Sequence, residues 1–203
     1  MAETKPKVPY WSIFAAIILA VAIGYLIHHQ TESLARRSAD TPAPIGGPFE
    51  LIDHDGRTVT EGNFKGRFFL VYFGYTYCPD ICPTALTTMA EALDHLGVEG
   101  RNIAPLFVTV DPARDTAEHL KMYVEYFHPR LVGLTGSEEQ VAATAKAYRV
   151  FYARVEDEND DADDYLMDHT SIIYLMGPDG RYRTHFSHGA APEIIAERIR
   201  EVL

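Results

Sequence analysis

Cysteine is nearly absent from this chain of 203 residues: there are two, Cys78 and Cys82, and they fall within one stretch of five. That scarcity excludes a disulfide-rich scaffold and a four-cysteine zinc site, and the three-residue gap is not the two-residue spacing of C-x2-C redox motifs. Basic residues are also scarce. Lys and Arg number 18 against 29 Asp and Glu, a formal net charge of -11, which excludes a general nucleic-acid binder because such proteins need a basic footprint. Docking onto a basic protein stays open. Internal repeats are missing too.

Charge is wholly absent from Val8 to Ile27, VPYWSIFAAIILAVAIGYLI. A run of about 20 apolar residues spans a bilayer as a helix, so we expect one transmembrane anchor, with residues 1–27 forming a short tail and that helix. A cleaved signal peptide is the alternative, since Ser33-Leu34-Ala35 is an acceptable cleavage site. Signal-peptide apolar cores run only about 7–15 residues, and Tyr10, Trp11 and Tyr25 suit the interfacial aromatic belts of a retained helix. Lys5 and Lys7 before the run balance Arg36 and Arg37 after it, so charge counting leaves its orientation tied.

Residues 28–47 are polar, then rich in Ala and Pro, with no apolar periodicity, and read as a flexible linker. The globular domain is expected over 48–203. It opens with a hairpin, Phe49 to Ile52 and Arg57 to Val59 around Asp55-Gly56. Strand and helix then alternate. Phe68 to Phe73 is a buried strand by its unbroken apolar run, Thr84 to Leu96 has helical spacing at Leu86, Met89, Leu93 and Leu96, and Ala104 to Val110 is again strand-like. Thr116 to Phe127 and Ser137 to Tyr148 read as helices, the second opened by Ser137 and acidic residues in its first turn. Ser171 to Met176 and Tyr182 to Phe186 are strands joined by Pro178-Asp179-Gly180, and Pro192 begins a closing helix. This order predicts an α/β fold, a central β-sheet flanked by helices.

The cysteines sit where the Phe68 strand hands over to a helix, close enough to form a disulfide or to clamp one soft metal ion. A bridge closing so short a loop restrains the unfolded chain little, so stability is a weak reason for the pair. A helix N-terminus lowers thiolate pKa, which favours both nucleophilic attack and metal binding. Thiolates select Cu(I), and imidazole suits copper in either oxidation state.

The element order, with the cysteine pair at the first βα junction, resembles the thioredoxin-like fold. Three ordered motifs narrow the resemblance: Gly74-Tyr75-Thr76-Tyr77-Cys78-Pro79-Asp80-Ile81-Cys82-Pro83, then Thr109-Val110-Asp111-Pro112-Ala113-Arg114-Asp115-Thr116, then Asp168-His169-Thr170 before a strand. Together they resemble the Sco/SenC family, membrane-anchored copper proteins of respiratory oxidase assembly. The resemblance implies a metallochaperone that binds one copper ion through Cys78, Cys82 and His169. It also implies delivery to the copper-bearing subunit of cytochrome c oxidase, with another copper chaperone or a thiol reductase as further partners. The implied location is the bacterial inner membrane, with the C-terminal domain facing the periplasm. A thiol-disulfide oxidoreductase acting through Cys78 and Cys82 is the alternative; a redox or copper sensor would use the same site.

Other polar residues carry weaker expectations. Asp80 could adjust the charge of the site, meet a partner or cap the helix with its side chain. Asp111-Pro112 ends a strand at the edge where α/β sites gather, yet reads as an ordinary turn rather than a ligand. His185 and His188 could form an adventitious pair, while His28, His29, His54, His95, His119 and His128 lack metal spacing. The run Glu156 to Asp164 is expected to be a solvated loop with a possible electrostatic docking role.

Overall fold

The computed structural model describes residues 23–26, 28–29, 44–155 and 165–203. The chain divides into two compact units, Met1–Ala43 and Pro44–Leu203. In the first, residues 23–26 and 28–29 are helical, and the rest of the expected anchor lies outside the described residues. No helix among the described residues is long and apolar enough to cross a membrane. The acidic run at 156–164 also lies outside them.

The second unit is built on a seven-stranded sheet. Its centre is β3 (Phe68–Gly74) and β4 (Ile103–Thr109), parallel neighbours in which every residue is buried. Parallel strands covered on both faces read as continuous apolar runs, which is what FFLVYFG and IAPLFVT are. Beside β4 runs the parallel β5 (Val132–Thr135), whose other edge takes the antiparallel β1 (Glu50–Asp53) and then β2 (Thr58–Thr60). On the far side of β3 lie the antiparallel β8 (Ile172–Met176) and β9 (Tyr182–Ser187).

Helices α1 (Ile81–Leu96) and α4 (Pro192–Arg200) pack on each other, α2 (Ala117–Phe127) lies against β5, and α3 (Glu138–Ala147) against β1. The last two begin as their sequences predict: Thr116 and Ser137 are N-caps whose side chains accept the amides of His119 and Gln140. All of this closes around one apolar core that includes Cys82. The α/β, thioredoxin-like arrangement and its N-terminal hairpin are as expected. The expectations omitted three short strands: β5, β6 (Tyr152–Arg154) and β7 (Met167–His169). Among the described residues the last two pair only with each other, as a two-stranded ribbon outside the main sheet.

Candidate metal centre

The site grows from the end of β3. Gly74 is the last residue of the strand, and its carbonyl accepts the Val110 amide at 2.8 Å. A Cβ at Gly74 would lie 2.7 Å from Cys82 Sγ, so the missing side chain is the space the sulfur uses. From there the chain turns through Tyr75 to Pro79 and enters α1, with Cys78 three residues before the helix and Cys82 in its first turn.

The start of α1 is capped in an unusual way. An N-cap side chain ordinarily accepts the amide of the second or third helical residue. Here the second amide, that of Cys82, donates to Cys78 Sγ at 3.3 Å, and the third residue is Pro83, which has no N–H. Asp80 is the N-cap but its side chain makes no capping hydrogen bond. Of the three roles the sequence left open for Asp80, the side-chain cap is not the one the structure shows: a sulfur has taken its donor. Asp80 is exposed beside the site; its amide hydrogen-bonds the Cys78 sulfur and its carbonyl accepts the amide and hydroxyl of Thr84.

His169 arrives from the ribbon. It ends β7 opposite Tyr152, and the ribbon is closed beyond it by reciprocal bonds, Thr170 N–H to the Phe151 carbonyl at 2.9 Å and Phe151 N–H to Thr170 Oγ1 at 3.0 Å. Its Nε2 lies 3.3 Å from Cys82 Sγ, and Nδ1 lies 3.3 Å from the Thr170 carbonyl. The rings of Tyr72 and Tyr75 each meet the imidazole edge to face with centroids 6.0 Å apart. The ligand atoms of Cys78, Cys82 and His169 all lie within 4.8 Å of one another, the only group of three such donors among the described residues. Bonds of roughly 2.3 Å to one ion would put three trigonal donors about 4 Å apart, so small movements suffice to close the site. Both cysteines are free thiols; Cys78 is half-buried and Cys82 fully buried.

The two sulfurs are electrostatically unequal. Hydrogen bonding from Cys82 and, next in weight, the nearby His169 hold the Cys78 thiol well below its usual range. Its bond to Cys78 and its burial push Cys82 the other way. Tyr72 adds a buried phenol 4.0 Å from Cys82 Sγ, its own ionisation suppressed mainly by burial. The geometry offers two chemistries: a half-exposed thiolate backed by a buried thiol can attack a disulfide, and two sulfurs with one imidazole can clamp a soft cation.

Several residues at this centre were passed over in the sequence. Asp111 is more than a turn residue: it is 3% exposed, bonds Arg114 Nε at 2.5 Å and accepts the Tyr165 hydroxyl at 2.8 Å. Asp115, fully buried, accepts the Thr76 amide at 3.1 Å, the Thr76 hydroxyl at 2.5 Å and the Thr109 hydroxyl at 2.6 Å. It ties the cysteine loop to the end of β4. The signal was an Arg between two Asp directly after an apolar strand. His185 meets the Tyr182 hydroxyl, and neither it nor His188 joins a group of three donors among the described residues.

Comparison with known proteins fits this geometry. A SCO2-like protein of Rickettsia felis is 44% identical over 156 residues, covering 77% of this chain and 76% of its own. The human mitochondrial SCO1 homolog is 42% identical over 209 residues, covering 97% and 69%. The copper-bound structure of Bradyrhizobium japonicum ScoI is 41% identical, with a TM-score of 0.71, over 78% of this chain and 99% of that one. The SCO1/SenC family model matches residues 37–203, and the chain belongs to that family.

Proposed function

We propose that this chain is a copper metallochaperone that carries one copper ion on Cys78, Cys82 and His169 for assembly of the binuclear copper centre of cytochrome c oxidase. The observation that carries the reading is the convergence within 4.8 Å of two sulfurs and an imidazole, Cys82 and His169 being 87 residues apart in sequence. A soft, low-coordinate donor set of this kind suits Cu(I) and still provides a nitrogen for Cu(II). Copper is the cargo here. Copper-bound structures of relatives such as Bradyrhizobium japonicum ScoI support the choice of metal. The domain would be tethered by residues 1–27 as a single-pass anchor and 28–47 as a linker, with 48–203 on the periplasmic side of a bacterial inner membrane.

The full chain, purified in mild detergent and reduced, should bind one copper ion. Cys78→Ala or Cys82→Ala should abolish tight binding, and His169→Ala should weaken Cu(II) more than Cu(I), which tolerates two ligands. Unchanged stoichiometry and affinity in the double cysteine variant would sink the assignment. The depressed Cys78 thiol favours a second reading, reduction of the oxidase copper-site disulfide. Copper on both sulfurs blocks their attack on a disulfide, so the two activities compete. His169→Ala separates them: a chaperone loses oxidase copper loading while the dithiol still reduces a model disulfide, and a pure reductase keeps oxidase assembly near normal.

A further inference from the structure

Among the described residues the ribbon that carries His169 has no strand pairing to the main sheet. It is attached through the chain running on into β8 and through the Tyr75 phenol, which bonds the Met167 backbone, and further side-chain contacts fix its distance from the sulfurs. One cluster spans both halves of the site. The Arg114 guanidinium lies 3.5 Å from the ring centre of Tyr165, in the segment leading into β7, and 4.6 Å and 5.9 Å from the rings of Tyr77 and Tyr75, in the cysteine loop. A second guanidinium, that of Arg154 on β6, lies 3.9 Å from the same Tyr165 ring centre. Two such groups so close to one ring centre cannot share a face, so the ring lies between them. Asp111 anchors the cluster from the end of β4: its carboxylate pairs with Arg114 and accepts the Tyr165 hydroxyl, with side chains 4% and 11% exposed for Asp111 and Arg114.

We infer that Arg114 and Tyr165 are positioning residues for the metal centre: their stack locks the His169 ribbon to the cysteine loop and so sets the distance between imidazole and sulfurs. This rests on the metal-site reading above. The placement argues for it in three ways. Tyr165 stands two residues before β7 and four before His169, at the end of the ribbon opposite the Phe151–Thr170 pair. Backbone bonds close the ribbon on itself at both ends, Phe151–Thr170 and Val155–Leu166, and this stack joins the second end to the cysteine loop. Arg114 reaches rings from the cysteine loop and from the segment that leads into the strand ending in His169. Finally, a guanidinium is planar and can lie flat on a ring while pairing with a carboxylate, which an ammonium cannot do.

Residues that orient a ligand typically change metal affinity by about 10- to 100-fold when lost. The test titrates copper into the reduced full chain, comparing parent, Tyr165→Ala, Tyr165→Phe, Arg114→Lys and His169→Ala. Readouts are Cu(II) affinity, the sulfur-to-Cu(II) charge-transfer band, the electron paramagnetic resonance spectrum and Cu(I) affinity by competition. Tyr165→Ala and Arg114→Lys should lose about 10- to 100-fold in Cu(II) affinity and shift toward the His169→Ala spectrum. Cu(I) affinity should move far less, and Tyr165→Phe, which keeps the stacked ring, should recover most of the loss. Far-ultraviolet circular dichroism checks folding, and Arg114→Lys and Tyr165→Phe keep the test open should Tyr165→Ala fail to fold. Parental Cu(II) binding and spectra in Tyr165→Ala and Arg114→Lys, beside a clear defect in His169→Ala, would overturn the positioning role alone. Parental binding in His169→Ala as well would remove the metal-site reading and this inference with it.

Discussion

Gly74→Ala puts one methyl group against the sulfur of Cys82, where there is no room for it. The new Cβ would lie 2.7 Å from Cys82 Sγ, 3.0 Å from Phe107 Cε2 and 3.1 Å from Tyr72 Cε1, against ordinary contacts of 3.4–4 Å. None of the three can withdraw easily. Phe107, Tyr72 and Cys82 are each 0% exposed, and the backbone of Gly74 is held by pairing with Thr109 and by the Val110 amide. Overpacking of this kind costs about 1–3 kcal/mol. At about 2–4 °C per kcal/mol for a domain of this size, the melting temperature should fall by about 2–12 °C. The second effect is local: the sulfur must retreat by roughly 0.7 Å or more to restore contact distance, moving one ligand away from the other two, so Cu(I) affinity should fall. Gly66→Ala is the control, since Gly66 has a positive φ of 81° but nothing within 4 Å of a Cβ. Backbone strain there costs about 1 kcal/mol and should leave copper binding unchanged. Thermal unfolding by circular dichroism and competitive Cu(I) titration decide the matter. A Gly74→Ala protein with parental melting temperature and copper affinity would refute the claim that the glycine makes room for the sulfur.

Two further outcomes follow from the same centre. Because hydrogen bonding lowers the Cys78 pKa while an ordinary thiol titrates near about 8.5, Cys78 is already a thiolate at neutral pH. Its alkylation by iodoacetamide should be flat from pH 7 to 9 and fall only in acid, with Cys82 unreactive throughout; a tenfold rise per pH unit above pH 7 at Cys78 would contradict the assigned bonding. Asp115→Ala removes the acceptor of the half-buried Thr76 amide and of the buried Thr109 hydroxyl, while the Thr76 hydroxyl keeps His119 Nε2 at 3.2 Å. Unsatisfied buried donors cost about 1–3 kcal/mol each, so we expect a loss of at least about 2 kcal/mol in urea unfolding; a loss under half of that would mean water or rearrangement replaces the carboxylate.

The parts of the fold legible in the sequence are those whose signal is local. Phe68 to Phe73 could be read as a central strand because burial on both faces demands an unbroken apolar run, and α2 and α3 could be placed because Thr116 and Ser137 announce their own capping bonds. The omitted strands lack such signals. β5 has four residues, one of them Gly133, whose absent side chain leaves room for Leu120 and Val124 of α2. Its strand character comes from its neighbours β4 and β1, 20 or more residues away, and no window of its own sequence records that. β6 and β7 have three residues each and mix exposed with half-buried positions, so neither alternation nor an apolar run marks them.

The site divides along the same line. Cys78 and Cys82 were legible together because residues a few positions apart at a strand-to-helix junction stay close, and they are joined in space by a hydrogen bond from one residue's amide to the other's sulfur. His169 is 87 residues from Cys82, and only the resemblance to a known family and to the thioredoxin-like fold connected them in the sequence; the contact of 3.3 Å depends on a ribbon that short-range patterns do not reveal. Asp80 shows the opposite failure. Its position before a helix is a sound local argument for a side-chain cap, and it fails because Cys78 Sγ occupies the Cys82 amide and Pro83 has none to give. The local rule gave way at the position where the helix N-terminus serves a thiolate instead of a cap. A departure from local preference at that point is itself a physical sign that the sulfur, rather than helix stability, governs the residues around it.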